Sequence, residues 1–300
     1  MSNNYLPTDY QSFIHKSRYA RWLDTTKNRE SWSETVSRFM ANIVIPVAGD
    51  DSYTREIEQA ILSLDVMPSM RALMTAGPAM TRDNTAGYNC SYLPVDDMKA
   101  FDEAMFILLC GTGVGFSVER QSVSKLPDIP ELFVSETTIV VKDSKEGWAK
   151  ALRQLIALLY SGEIAQWDVG LVRPAGAKLK TFGGRASGPS PLIDLFDFTI
   201  TTFKGAQGRK LSSIECHDIM CKIGEVVVVG GVRRSAMISL SNLSDDRMRH
   251  AKTGDWWKND VQRALANNSV AYTEKPDSLS FMREWLSLVE SKSGERGIFN

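Results

Sequence analysis

The chain has 300 residues, 43% hydrophobic and 24% charged, with 35 basic against 36 acidic side chains and a formal net charge of −1. That suffices for one large domain or two small ones, and a near-neutral balance removes any global electrostatic reason to expect nucleic acid or an anionic membrane as partner. No apolar run approaches the ~20 residues that cross a bilayer, and the opening MSNNYLPTDY lacks the basic-then-apolar pattern of a secretory signal, so the cytoplasm is the expected compartment.

Residues 1–85 read as a helical region, with Trp22, Trp32, Val36, Phe39, Ile57, Ile61 and Leu64 at helical spacings and turn signals at VAGDDS and MPS. From about residue 86 to residue 300 the pattern changes to short β-rich runs separated by amphipathic helices, a rhythm that implies α/β architecture around a parallel sheet or barrel. The first such run opens at Asn89-Cys90-Ser91. A thiol in that small polar setting is either open enough to ionise and exchange or a small buried hydrophobe.

A helix from Phe101 to Cys110 then meets GTGVG, whose glycines 111, 113 and 115 either let backbone N–H groups lie against a nucleotide or simply stop the helix and turn the chain. Strands are expected at Val114 to Val118 and Thr138 to Lys142. Two apolar stripes mark helices, one through Trp148, Leu152, Leu155, Ile156 and Leu159, the other through Leu192, Leu195, Phe196, Thr199 and Phe203. Between them, Arg173, Lys178, Lys180 and Arg185 share a segment with glycines 176, 183, 184 and 188. Four cations on a flexible glycine loop suit a polyphosphate; a solvated loop is the alternative.

Ser212 and Glu215 fit a capping box that starts a helix through Cys216, Ile219, Met220 and Ile223. Cys216 and Cys221, ~140° apart around a helix, cannot pair as a dithiol and read as core thiols. The run Glu225 to Val229 reads as a buried strand that breaks at Gly230-Gly231. Arg233 and Arg234 would then follow a core strand, where a parallel sheet places ligands, or form ion pairs with Asp245 or Asp246. A strand at Met237 to Leu240 and a last helix from Ser278, ended by Gly294, precede the start of another strand in GIFN. Four cysteines and three histidines without CxxC or HExxH spacing suggest neither a disulfide framework nor a metal site.

NCSY (Asn89 to Tyr92), CGTGVGFS (Cys110 to Ser117), RPAGAKLKTFGGRASGP (Arg173 to Pro189) and GGVRRSAMISL (Gly230 to Leu240), in this order and spacing, resemble ribonucleotide reductases, most closely the adenosylcobalamin-dependent class II enzymes. The resemblance covers nearly the whole chain and implies a helical N-terminal region (1–85) followed by the first half of a ten-stranded α/β barrel (86–300). By the same resemblance, Cys90 matches one of the two cysteines that reduce the ribose and become a disulfide. Ser69 matches a hydroxyl that helps to hold the substrate phosphate; Asn89, Ser91, Gly113, Gly115 and Arg233 belong with the ribonucleotide substrate. Asp97 matches the carboxylate that contacts a deoxynucleoside triphosphate effector, and Lys178, Lys180, Gly183, Gly184 and Arg185 fall in the first specificity loop, with Gly230 to Met237 as the second. Glu119 to Gly147 falls where some relatives carry an insertion that takes the place of a dimer partner. The radical-bearing cysteine, the second cysteine of the redox pair and most cobalamin contacts are implied on a C-terminal reductase polypeptide, and a thioredoxin-like protein as the external reductant. A non-catalytic deoxynucleotide-binding remnant of the same fold is the alternative.

Overall fold

The computed structural model describes residues 5–49, 52–177, 185–229 and 236–300. The chain forms two compact units, Met1–Asn89 and Cys90–Asn300.

The first unit is helical, as its spacing predicts. Helices at Trp32–Phe39, Ser52–Leu62 and Met70–Thr75 enclose a core of Trp32, Val36, Phe39, Met40, Ile61, Leu62 and Leu73. Ser31 and Glu34 form a capping box that fixes where Trp32–Phe39 begins. From that helix Arg38 donates through Nε and Nη2 to the buried Glu30 and through Nη1 to the carbonyls of Leu73 and Ala76, satisfying the C-terminus of Met70–Thr75. Trp22 departs from the expected helix. It lies on a two-residue strand, Trp22–Leu23, antiparallel to Asn28–Arg29, and is exposed, because Lys27 adopts a left-handed φ of 52° and closes a hairpin there.

The second unit is mixed α/β, built on a parallel sheet. Its strands are β1 (Cys90–Pro94), β2 (Gly113–Ser117), β3 (Phe133–Val140), β4 (Glu163–Asp168), β5 (Met237–Ser241), β6 (Ala266–Ala271) and β7 (Gly297–Phe299). Five of them make one wholly parallel sheet in the order β1-β2-β5-β6-β7, and β3 pairs in parallel with β4 apart from it. The main helices are α1 (Ala100–Leu109), α2 (Lys145–Tyr160), α3 (Ser190–Gly205), α4 (Ser213–Val229) and α5 (Ser278–Ser291). Both predicted stripes face inward: Leu152, Leu155, Ile156 and Leu159 of α2 and Leu192, Leu195, Phe196, Thr199 and Phe203 of α3 are buried, with Phe196 edge-on to Trp167. Cys216 and Cys221 are buried free thiols on α4. Among the described residues no helix is long and apolar enough to cross a membrane.

The expected strand at Glu225 to Val229 is instead the last part of α4. Cys216, Ile219, Met220, Ile223, Val226 and Val227 are all buried at helical spacing, so the stripe begun near Ser212 runs on to Val226 and Val227. A β-branched residue costs a helix well under ~1 kcal/mol, whereas burying its side chain contributes ~1.5–3 kcal/mol, and burial decides. In consequence GGVRRSA follows a helix and not a strand, while β5 after it is as expected. Smaller corrections concern bounds: β3 starts five residues before Thr138 and ends at Val140, and α5 stops at Ser291 because Lys292 turns left-handed (φ 54°) ahead of Gly294.

At the start of α4 the Glu215 carboxylate accepts from the Ser212 N–H (2.8 Å), the Ser212 hydroxyl (2.7 Å) and Arg209 (2.7 Å). Burial pushes its pKa up, but these hydrogen bonds outweigh that and take it from 4.5 to about 2. A depressed carboxyl stabilises the fold fully above its unfolded value and loses that contribution as pH falls through the folded one. Glu215→Gln should therefore cost about 1–2 kcal/mol near neutrality, with the gap to wild type closing between pH ~5 and ~2 in urea titrations; a pH-independent gap would contradict the assignment.

Candidate functional site

Parallel register brings the N-terminal ends of β1, β2, β5 and β6 to one end of the sheet. Cys90 is level with Gly113, Val114 with Met237, and Met237 with Ala266. Cys90, the first residue of the edge strand β1, is exposed. Next to it the Ser91 hydroxyl donates to the Gly113 carbonyl (2.9 Å), tying the thiol-bearing strand to the glycine loop. A Cβ on Gly115 would stand 3.3 Å from Ile238 Cγ2, a tight contact, and 3.6 Å from the Ser91 carbonyl oxygen, an ordinary one. Cys90, Ser91 and Gly113 thus lie together, one pleat from Gly115, around an open thiol. An exposed thiol beside backbone and hydroxyl groups can exchange with a disulfide, whereas the three buried cysteines cannot meet an external partner.

Ser69 and Asn89 belong to the first unit. Ser69 caps Met70–Thr75, accepting from the Ala72 N–H (3.4 Å). Asn89 is exposed, and its Oδ1 accepts from Arg71 Nε (3.0 Å). Asp97 follows the carboxyl end of β1, at the other end of the strand from Cys90, where its Oδ1 accepts from the Lys99 N–H (2.8 Å) and leads into α1. Of the residues expected in the first specificity loop, Arg185 is exposed and donates to the Gly176 carbonyl (2.9 Å). Lys178, Lys180, Gly183 and Gly184 lie outside the described residues, as do Arg233 and Arg234. Arg173, read as a phosphate-loop cation, is instead paired with Asp143 (2.7 Å), a partner 30 residues back that no local spacing announces.

A buried polar cluster behind the sheet escaped the sequence reading. His217 on α4 lies with Nε2 3.0 Å from Asn268 Oδ1 on β6, Nδ1 3.2 Å from Asp218 Oδ1 and Nε2 3.6 Å from Cys221 Sγ, while Arg263 binds both oxygens of Asp218 at 2.7 Å. Burial disfavours the imidazolium, yet Cys221 and Asp218 beside it raise its pKa. His217, Cys221 and Asn268 are buried, and their contacts tie α4 to β6. The one available signal was a histidine in a predicted apolar helix.

Known proteins bear on this arrangement. A family profile described as B12-dependent ribonucleotide reductase, insertion domain, matches residues 120–201. The match begins where an insertion was expected and continues past Lys178 to Arg185 into α3. Adenosylcobalamin-dependent ribonucleoside-triphosphate reductases of Lacticaseibacillus paracasei and Lactobacillus leichmannii are each 28% identical over 95% of the chain. Each match covers 47% of the relative, so the chain spans about half the length of the curated relatives it matches. A crystal structure of a B12-dependent (class II) ribonucleotide reductase superposes with a TM-score of 0.73 at 24% identity, over 87% of this chain and 45% of that one, a likeness of fold.

Proposed function

From its similarity to adenosylcobalamin-dependent, class II ribonucleotide reductases, we propose that the chain belongs to that family and supplies the N-terminal part of an enzyme that converts ribonucleotides to deoxyribonucleotides in the cytoplasm. The observation that carries this reading is the exposed Cys90 thiol beside Ser91 and Gly113, in the motif order of the family. Cys90 and a second cysteine on a C-terminal reductase polypeptide deliver two electrons and two protons. The ribose C2′–O bond breaks, a C2′–H bond forms, the oxygen leaves as water, and the two thiols become a disulfide that a thioredoxin-like protein reduces. A thiyl radical that opens the reaction at the ribose resides on the C-terminal polypeptide.

Ser69, Asn89, Ser91, Gly113, Gly115 and Arg233 hold the ribonucleotide, while Asp97 and the loop bearing Lys178, Lys180, Gly183, Gly184 and Arg185 hold a deoxynucleoside triphosphate effector. Adenosylcobalamin supplies the radical when bound. Most of its contacts belong, in this reading, to the C-terminal polypeptide; among the described residues His15 and His217 are buried and hydrogen-bonded, so neither is open to it.

The need for a second polypeptide is supported by α5 and β7. Leu279, Met282, Trp285, Leu286 and Val289 form an exposed apolar stripe on α5 while Glu284 is buried, and Ile298 and Phe299 are exposed on the edge strand β7. A stripe of this kind beside an open strand edge is a surface that association covers, consistent with completion of a ten-stranded barrel by a second half. The test mixes the chain with a polypeptide carrying the remaining length of the family, adenosylcobalamin, a dithiol and four ribonucleotides. Deoxyribonucleotide formation in the mixture and in neither part alone is expected; binding of deoxynucleotides with no turnover under any pairing would favour a regulatory remnant.

A further inference from the structure

A second cavity in the Cys90–Asn300 unit lies at the carboxyl ends of β2 and β5, the opposite end of the sheet from Cys90. It holds about 540 Å³ between Val118 after β2, Asn242 after β5 and the first residues of α4. None of the residues assigned above to substrate or effector lines it.

Three cations face it: Arg120, Lys210 and Arg247. None of the three has a carboxylate partner among the described residues. Among the described residues Lys210 donates to the Ser124 carbonyl (2.6 Å), the Arg120 side chain reaches the Ser244 hydroxyl alone (3.5 Å), and the exposed Arg247 makes no side-chain hydrogen bond. The two acids on the wall are engaged elsewhere. Asp245 caps the Met248 N–H (3.1 Å), and Asp246 is bonded to Arg249.

The 17-residue helix α4 begins in the same wall. Its first N–H groups have no intrahelical acceptor, and its dipole favours negative charge there. Ser213, its first residue, lines the cavity with 9% of its surface exposed, and its hydroxyl has no partner among the described residues. The Ser213 hydroxyl, the helix start and three cations that form no ion pair among the described residues converge on one cavity and outweigh Asp245 and Asp246 on its wall, while the Glu215 carboxylate takes up the Ser212 N–H and leaves the N–H groups that follow it.

We propose that this cavity binds a phosphate group, through the Ser213 hydroxyl, the N-terminus of α4 and the side chains of Lys210, Arg247 and Arg120. No aromatic side chain lines it to stack a base, so the phosphate and not the nucleobase is recognised. The occupant is either inorganic phosphate or the terminal phosphate of a nucleotide. The site stands apart from the reductase reading, and its failure would leave that reading intact.

The experiment is calorimetric titration of the full chain with inorganic phosphate, ATP and adenosine, repeated on Arg247→Ala and Ser213→Ala after circular dichroism has shown each folded. Phosphate and ATP should both bind and adenosine should not. Arg247→Ala should weaken phosphate binding about tenfold and Ser213→Ala a few-fold, with the loss shrinking as salt is raised. ATP binding much more tightly than phosphate, with the same sensitivity to both variants, identifies a nucleotide's terminal phosphate; equal affinities identify free phosphate. Undetectable phosphate binding by the wild type, or affinities that neither variant changes, overturns the proposal.

Discussion

Replacing Cys90 by serine is expected to lower deoxyribonucleotide formation by the completed enzyme about a thousandfold or more, since an alcohol cannot give up its hydrogen to become a disulfide. Serine is nearly isosteric, and Cys90 is exposed at the first residue of an edge strand, so the fold and the Ser91–Gly113 hydrogen bond should survive. The informative measurement pairs turnover with calorimetry of deoxynucleotide binding: turnover lost with binding kept assigns Cys90 to chemistry. Full turnover in the variant would remove Cys90 from the redox pair and with it the observation on which the functional proposal rests. Serine at Cys216, buried behind the sheet, should instead lower stability and leave the chemistry of any folded molecule unchanged.

The largest stability effect is expected at Arg296. Its side chain is 1% exposed against 6% for Glu284, and it meets both Glu284 oxygens at 2.7 and 2.8 Å. It also donates to Ser241 Oγ and to the carbonyls of Asn242 and Leu243, joining α5 to the end of β5. Arg296→Met would strand these acceptors and leave Glu284 with Arg249 alone, a change that should cost about 3–5 kcal/mol. By contrast Lys258→Ala, which breaks a pair exposed at 64% and 56%, should cost under ~1 kcal/mol. Thermal unfolding of both variants separates the two cases, and equal losses would refute the ranking. The Glu284 carboxyl, which burial raises but Arg296 and Arg249 lower further, should add to acid sensitivity: its contribution is present above the ordinary carboxylate range and fades as pH falls through its depressed value.

The two stripes of α2 and α3, the Ser212–Glu215 cap, the two core thiols of α4 and the strands at Val114 and Met237 were legible from sequence, because each depends on residues within a few positions of one another. So was the motif order that marks Cys90. The valines of α4 were not, since a local preference for strand of a few tenths of a kcal/mol per residue yields to a burial pattern that only the packed sheet creates. Nor could spacing show that Arg173 belongs to Asp143, that His217 meets Asn268 51 residues away, or that α5 buries Glu284 and exposes Trp285. What the sequence determined by itself was the resemblance to a family, the helical and α/β regions and the one cysteine in an open polar setting. What only the tertiary structure decided was the parallel register that sets Cys90 beside Gly113 and sends Asp97 to the other end of the strand, because strand pairing and ion pairing are chosen between segments far apart in the chain.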